Sequence, residues 1–510
     1  MPWLTTIGAL PLVGAAAVWL LPSRSARPAR VTALVASLIT LLATLAMAYR
    51  FDTDTAGTHQ FTEQHRWIAE FGVNYAVGID GLGLVMIVLS ALLVPICLLA
   101  GWNQVEGSSA RHYFGLILVL ETFMIGVFAA RDLFLFYVLF EAMLIPVYFL
   151  IGLFGGAQRR YAAVKFLLYS LLGGLVMLVA VIYLYVEGPG GPDGFLISEL
   201  TGLEFSSELT GRLLFCAFFF AFAIKAPMWP VHTWLPDAAA QAPPGVAVLL
   251  VGVLDKVGTF GMLTLCLPLF PEASRWATPV VLALAVVSVL YGGLLAIGQV
   301  DLLRMIAYTS VSHFGFIVIG VFAMTSSAQS GAALYMLNHG FSTGALFLVA
   351  GMLIARRGSA RIADYGGLQR STPLLAGTFL LAGLSSLALP GLSSFISEFL
   401  VLVGTYGRYP GVAVVAAGGM VLAALYILLT YQRMFTGPVK DFASGWRDMN
   451  LREGLVMAPL IAVIVALGFF PKPVLDVLNP VADRTLQQVS MTDPAPTAAG
   501  EESTTEGTQP

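Results

Sequence analysis

Long apolar runs dominate the chain, and short polar stretches separate them. Runs long enough to cross a bilayer, about 20 residues each, fall near 3–21, 31–49, 82–101, 113–130, 133–154, 162–186, 211–235, 243–267, 277–298, 303–323, 331–355, 373–404, 411–434 and 454–471. Fourteen transmembrane helices are therefore predicted. The first run has no basic stretch before it and reads as a retained helix rather than a cleaved signal. The 373–404 run is too long for one straight span and carries Pro390-Gly391 in its middle, which predicts a kinked or discontinuous helix. Two segments depart from the pattern. Residues 51–81 are polar, and the alternation in Asn74-Tyr75-Ala76-Val77-Gly78 predicts a hairpin. Residues 490–510 are rich in Thr, Glu, Pro and Gly with little to bury, so a disordered tail is predicted.

Composition agrees with this reading. The 510 residues are 58% hydrophobic and only 11% charged, with a mean hydropathy of +0.85, whereas soluble domains carry about 25% charged residues. The fold class is an all-α polytopic membrane protein. A net charge of −3 with scattered basic residues argues against nucleic-acid binding. Cys97, Cys216 and Cys266 lie far apart in apolar runs, which suggests core residues and neither a disulfide framework nor a cluster site. Sixteen Lys and Arg fall in alternate loops against eight in the others, with Lys225 and Lys256 inside spans. This bias puts both termini on the outer face.

Four ionisable residues, Glu141, Lys225, Lys256 and Glu398, stand inside the apolar runs. A charge at the bilayer centre costs about 3 kcal/mol by insertion scales, so such residues face a protein interior or a wet cavity. Pro227 and Pro230 follow Lys225, and each denies a hydrogen bond to the carbonyl four residues back, so the helix should open beside the lysine. Glu141 in Phe140-Glu141-Ala142 is the natural partner, and a carboxylate near a buried lysine restores its charge. Glu398 follows the Pro390-Gly391 breaker. His313 and His339 lie in spans ten and eleven with Ser310, Ser312, Ser342 and Thr343 around them, and imidazole exchanges protons near neutral pH. Glu121 and Asp255 add charges whose roles the residues leave open. Static ion pairs or buried hydrogen bonds account for each of these groups as well. The spacings form no compact metal-ligand motif, and no phosphate-cradling loop appears.

The segments at Lys225 and Glu398 both set a charge beside a helix breaker, five spans apart. An odd separation reverses orientation, the pattern of two inverted five-helix repeats with discontinuous helices seven and twelve. The expected organisation is helices 1–3 with the outer polar loop over 1–110, a first repeat over 111–270, a second over 271–435, a C-terminal helix with its flanks over 436–489, and the tail over 490–510.

The string Lys225-Ala226-Pro227-Met228-Trp229-Pro230-Val231-His232-Thr233-Trp234-Leu235-Pro236-Asp237-Ala238 closely resembles the signature of the antiporter-like subunits of respiratory complex I. Further blocks resemble the same family: Asp301 to His313, Asn338 to Phe347, Asp364-Tyr365-Gly366-Gly367-Leu368, Val77 to Leu82, and Phe140-Glu141. The likeness covers roughly residues 70–435. A glutamate at 398 resembles the M-type subunits of NADH-quinone oxidoreductase, since L- and N-type subunits and related antiporter subunits carry lysine there. The chain departs from the family at Ala239 and Gln241, where His and Glu are usual.

The resemblance implies proton transfer, with Glu141 and Lys225 as a coupling pair, Lys256, His313 and His339 as a central relay, and Glu398 as the terminal group. It also implies that NADH, FMN, iron–sulfur clusters and quinone belong to partner subunits. The partners would be other membrane subunits, especially the L-type and N-type, in a cell inner membrane. The alternative is a subunit of a multisubunit sodium/proton antiporter.

Overall fold

The computed structural model describes residues 2–22 and 26–495. In chain order its principal elements begin with α1 (Trp3–Leu20), α2 (Ala26–Tyr49), β1 (Gln60–Ile68), β2 (Val73–Ile79), α3 (Gly81–Ala100) and α4 (Ser109–Ala129). Next come α5 (Leu133–Phe154), which jogs at Met143, α6 (Arg159–Glu187), α7 (Glu208–Lys225), α8 (Trp234–Gln241) and α9 (Pro244–Leu269). The remainder are α10 (Pro271–Ile297), α11 (Leu302–Phe322), α12 (Ser326–Arg357), α13 (Pro373–Ser386), α14 (Ser393–Arg408), α15 (Pro410–Phe435), α16 (Leu451–Phe469) and α17 (Lys472–Gln488).

Twelve helices among the described residues are long and apolar enough to cross a membrane. Two expected runs do not form a single such helix. The 211–235 run stops at Lys225 and resumes only at Trp234, and the 373–404 run stops at Ser386 and resumes at Ser393. Between α13 and α14 the backbone turns through Ala388 at φ +60° and Gly391 at φ +89°. Only glycine adopts the second conformation without strain. Gly468 of α16 packs so closely on the Gly391 carbonyl that a Cβ there would overlap it, which holds the break in place.

The helices sort by burial. The apolar window of α9 is 100% enclosed by protein, those of α11 and α12 94%, and those of α1, α15 and α16 only 33%. The first group is the core. Peripheral helices present Leu42, Val179, Leu294 and Val421 outward, the apolar surface that lipid tails solvate.

The predicted hairpin is present: β1 and β2 pair antiparallel, with Gln60 opposite Ile79 and Ile68 opposite Val73. It is tied down by Asp132, which caps α5 by accepting from the Phe134 and Leu135 amides and also accepts from the Asn74 amide, all at 2.9 Å. The amphipathic α17 was not foreseen, because its polar face dilutes the apolar signal. It buries Val477, Leu478, Val481, Ala482 and Leu486, and Arg484 donates to Asp80 at 2.6 Å and to the Gly57 carbonyl. Burial alone would raise the Asp80 carboxyl, but Arg484 and the Gly83 amide hold it below its ordinary value.

From residue 496 the expected tail lies outside the described residues, as does Arg24. Asp493 accepts from the Ser326 amide at 2.8 Å, at the start of α12. Cys97 and Cys266 are buried as expected, but Cys216 is exposed on the outward side of α7.

Candidate functional site

Lys225 occupies the last turn of α7 and is 1% exposed. The opening beside it forms as the two prolines predict, with a different outcome for the carbonyls. The Ala223 carbonyl accepts from the Met228 amide at 3.0 Å, and the Ile224 carbonyl accepts from the Trp234 indole at 2.9 Å. The Ala223 carbonyl is one of the two that the prolines free and the Ile224 carbonyl is its neighbour, and neither accepts from the lysine. Lys225 Nζ has no hydrogen-bond partner and lies over the rings of Phe140 and Phe166, at 4.9 and 5.8 Å from their centroids. Aromatic faces attract a cation without accepting its protons as strongly as oxygen would.

Glu141 is only half-buried, rather than enclosed as its mid-span position suggests. Its Oε1 is covered and has no hydrogen-bond partner. Glu141 and Lys225 sense one another's charge across the intervening space, with no hydrogen bond between them. Glycine makes the room. A Cβ on Gly174 of α6 would overlap the Glu141 carboxylate, and one on Gly173 would crowd Ala221 and Ile224 of α7. A Gly-Gly pair inside an apolar helix signals such close approach, and this one was overlooked.

Around Lys256 the groups are joined. The ammonium donates to the Val251 carbonyl at 2.5 Å and lies 2.7 Å from His339 Nδ1, with the Phe314 ring centroid 5.1 Å away. The ring of His339 stands nearly perpendicular to that of His313, centroids 5.3 Å apart. His313 Nε2 meets the Tyr426 hydroxyl at 3.0 Å and its ring packs against Tyr335 at 5.9 Å. The Tyr335 hydroxyl donates to Glu398 Oε2 at 3.4 Å. Lys256, His339, His313 and Glu398 thus converge in one buried file, completed by two tyrosines. Tyr335 precedes His339 by four residues, so both share a face of α12. Tyr426 gave no signal in the sequence.

Asn338, beside His339, anchors α14 by donating to the Ser393 carbonyl at 2.7 Å. The flanking hydroxyls are less available than expected. Ser342 donates to the Asn338 carbonyl and Ser310 to the Ile306 carbonyl, the local back-bonding usual for hydroxyls in helices, while Ser312 donates across to the Val289 carbonyl of α10. Thr343 Oγ1 is buried without a partner.

Other candidates stand apart from the file. Glu121 on α4 is fully buried with both oxygens unpartnered. Asp255 is likewise buried and unpartnered. At the other end of the break, Asp237 on α8 accepts from Lys165 at 2.7 Å and from Arg304 at 2.5 Å, joining α6, α8 and α11. Gln241 serves the backbone: its Oε1 accepts from the Gln158 amide at 2.9 Å and its carbonyl from the Gly156 amide at 2.8 Å. Among the described residues no three His, Cys, Asp or Glu side chains come together as a metal site.

Comparison with known proteins gives this arrangement its context. Residues 130–425, more than half of the chain, match the family described as "NADH:quinone oxidoreductase/Mrp antiporter, TM". NADH-quinone oxidoreductase subunit M of Mycobacterium tuberculosis is 46% identical, with 100% of each chain covered. A chain in the structure of respiratory complex I from Thermus thermophilus with bound NADH is 33% identical, with a TM-score of 0.86 over 96% of this chain and 100% of that one. A chain of the Mrp complex from Dietzia sp. DQ12-45-1b has a TM-score of 0.85 at 22% identity, over 96% and 99% of the two chains, and shares the fold.

Proposed function

The chain belongs to the NADH:quinone oxidoreductase/Mrp antiporter family, and from that premise we propose that it is a proton-translocating membrane subunit of an NADH-quinone oxidoreductase. The observation that carries this reading is the buried file from Lys256 through His339, His313 and the two tyrosines to Glu398. An amine, two imidazoles, phenols and a carboxyl are all groups that take up and release protons. Their side chains are enclosed where lipid would otherwise make ionisable groups costly.

Glu141 and Lys225 serve as the coupling pair at one end, Lys256 with His313 and His339 as the relay, and Glu398 as the outlet. NADH, FMN, iron–sulfur clusters and quinone are assigned to partner subunits, so energy reaches this chain as a change in charge or position at its flank. Half-exposed Glu141 is placed to feel such a change. Moving one proton against 100 mV takes about 2.3 kcal/mol, within reach of altered pairing between buried charges. The broken helices at Lys225 and before Glu398 count as spans seven and twelve of fourteen, related as inverted repeats, with both termini on the outer face of the inner membrane. L-type and N-type subunits are the expected neighbours. The antiporter-subunit alternative has the fold in its favour and no site feature of its own.

The test uses the whole complex in inverted membrane vesicles. Lys225→Met should leave the complex assembled and cut NADH-driven proton uptake by an order of magnitude or more. Normal uptake in an assembled Lys225→Met complex would sink the reading.

A further inference from the structure

Lys225 ends α7 and Lys256 lies within α9, with no hydrogen bond joining them. A third charge stands beside both. Asp255 is 0% exposed and neither carboxylate oxygen has a hydrogen-bond partner. Packing gives no reason to keep an unpaired carboxylate there, since an intramembrane ionisable group is costly unless it is used.

The helix geometry explains what Asp255 faces. α9 widens into π-helical turns over Leu250–Leu254 and Met262–Cys266, with ordinary helix over Lys256–Gly261 between them. The Asp255 amide still reaches five residues back to the Leu250 carbonyl, at 3.1 Å. Three residues on, Gly258 presses against the end of α7, where a Cβ would crowd the Phe222 carbonyl and the Ala226 amide. Residues three apart share a helix face, so Asp255 lies on the side turned towards the turn that carries Lys225. Lys256 is about 100° further round and reaches the other way, to His339. Asp255 lies within electrostatic range of both lysine side chains.

We propose that Asp255 carries the proton between Lys225 and Lys256, closing the interval between the coupling pair and the buried file. This rests on the reading of the chain as a proton translocator. In the first transfer an N–H bond of the Lys225 ammonium breaks and an O–H bond forms on Asp255, leaving a neutral amine and a neutral acid. In the second, that O–H bond breaks and an N–H bond forms on neutral Lys256, restoring the carboxylate and leaving an ammonium. No electrons are exchanged, and the sum is one proton moved from one lysine to the other. The intermediate state has no charge on Lys225 or Asp255, which a low-dielectric interior tolerates better than an imperfect ion pair.

The experiment compares Asp255→Asn, Asp255→Leu and Asp255→Glu with wild type and Lys225→Met, all as assembled complexes in inverted vesicles. NADH-driven proton uptake is measured beside NADH oxidation by an artificial acceptor and infrared difference spectra on energisation. An assembled neutral variant should lose uptake at least tenfold with acceptor activity intact. It should also lose a protonated-carboxyl band that wild type shows, and Asp255→Glu should keep most of the uptake. Wild-type uptake in either neutral variant, or an unchanged band, overturns the proposal. Failure of both neutral variants to assemble also overturns it, since Asp255 would then be a folding residue. If Lys225→Met loses uptake while a neutral Asp255 variant keeps it, only the carrier role falls. If Lys225→Met keeps uptake, the translocation reading falls with it.

Discussion

Around Lys225 the charged groups touch aromatic faces and a glycine, whereas Lys256 holds His339, His313 holds Tyr426 and Tyr335 holds Glu398. Lys225 Nζ and Glu141 Oε1 are both unpartnered, while Lys256 donates to His339 and to a backbone carbonyl. An ion pair held at a distance responds strongly when its partner moves, because little local bonding opposes the change. A file of hydrogen-bonded pairs packed ring against ring resists movement and favours transfer along it. The first region has the character of a sensor and the second that of a conductor, and each can be tested by making it resemble the other.

Removing charge at the sensor should have the largest effect. Glu141→Gln, like Lys225→Met, should abolish most NADH-driven proton uptake in vesicles with the complex still assembled. Loss of assembly with no separate effect on uptake would make the pair structural. Cutting the file by one contact should cost less. Tyr335→Phe removes a hydrogen bond of about 1 kcal/mol, which corresponds to about fivefold in rate. Uptake equal to wild type would take Tyr335 out of the path. Gly174→Ala should be milder still: the added methyl displaces the free end of the Glu141 side chain rather than backbone, so the protein folds and uptake falls partially. An unchanged rate would mean that the position of the carboxylate is not critical.

The smallest effect on transport is expected at the outer clasp, where Asp80 meets Arg484. The Asp80 carboxyl is held below its ordinary value. Its stabilisation is therefore complete above the unfolded-state value, about 4, and is lost as pH falls through the lower folded value. Thermal midpoints measured down a pH series should fall more steeply for wild type than for Asp80→Asn below about pH 4. Parallel curves would remove this pair as a source of acid sensitivity.

The membrane spans were legible because about twenty apolar residues in succession have few other solutions in water or lipid. The breaks were legible from Pro227, Pro230 and Pro390-Gly391, and the hairpin from alternation at Asn74 to Gly78. Lys256, His313, His339 and Glu398 could be picked out as costly residues, although their convergence depends on helix packing that no local pattern reveals. Tyr335 and Tyr426 escaped notice because tyrosine is common in membrane helices and bears no charge. The Ile224 carbonyl found its partner in an indole ten residues away in sequence, a contact that rules about prolines do not anticipate. α17 was missed for the opposite reason: its burial is one-sided, and a search for continuous apolar runs passes over it.

The two wide turns in α9 carry a mechanical consequence. Each lodges an extra residue without making a loop, so the six residues from Lys256 to Gly261 form a short shaft between two couplings. The bearing of that shaft is set separately from the bearings of the helix on either side. Gly258 and Gly261 let it ride directly against Phe222 and the end of α7. A small swivel of the shaft would alter the separation of Asp255 from one lysine and of Lys256 from its histidine together, while both ends of the helix stayed anchored in the core.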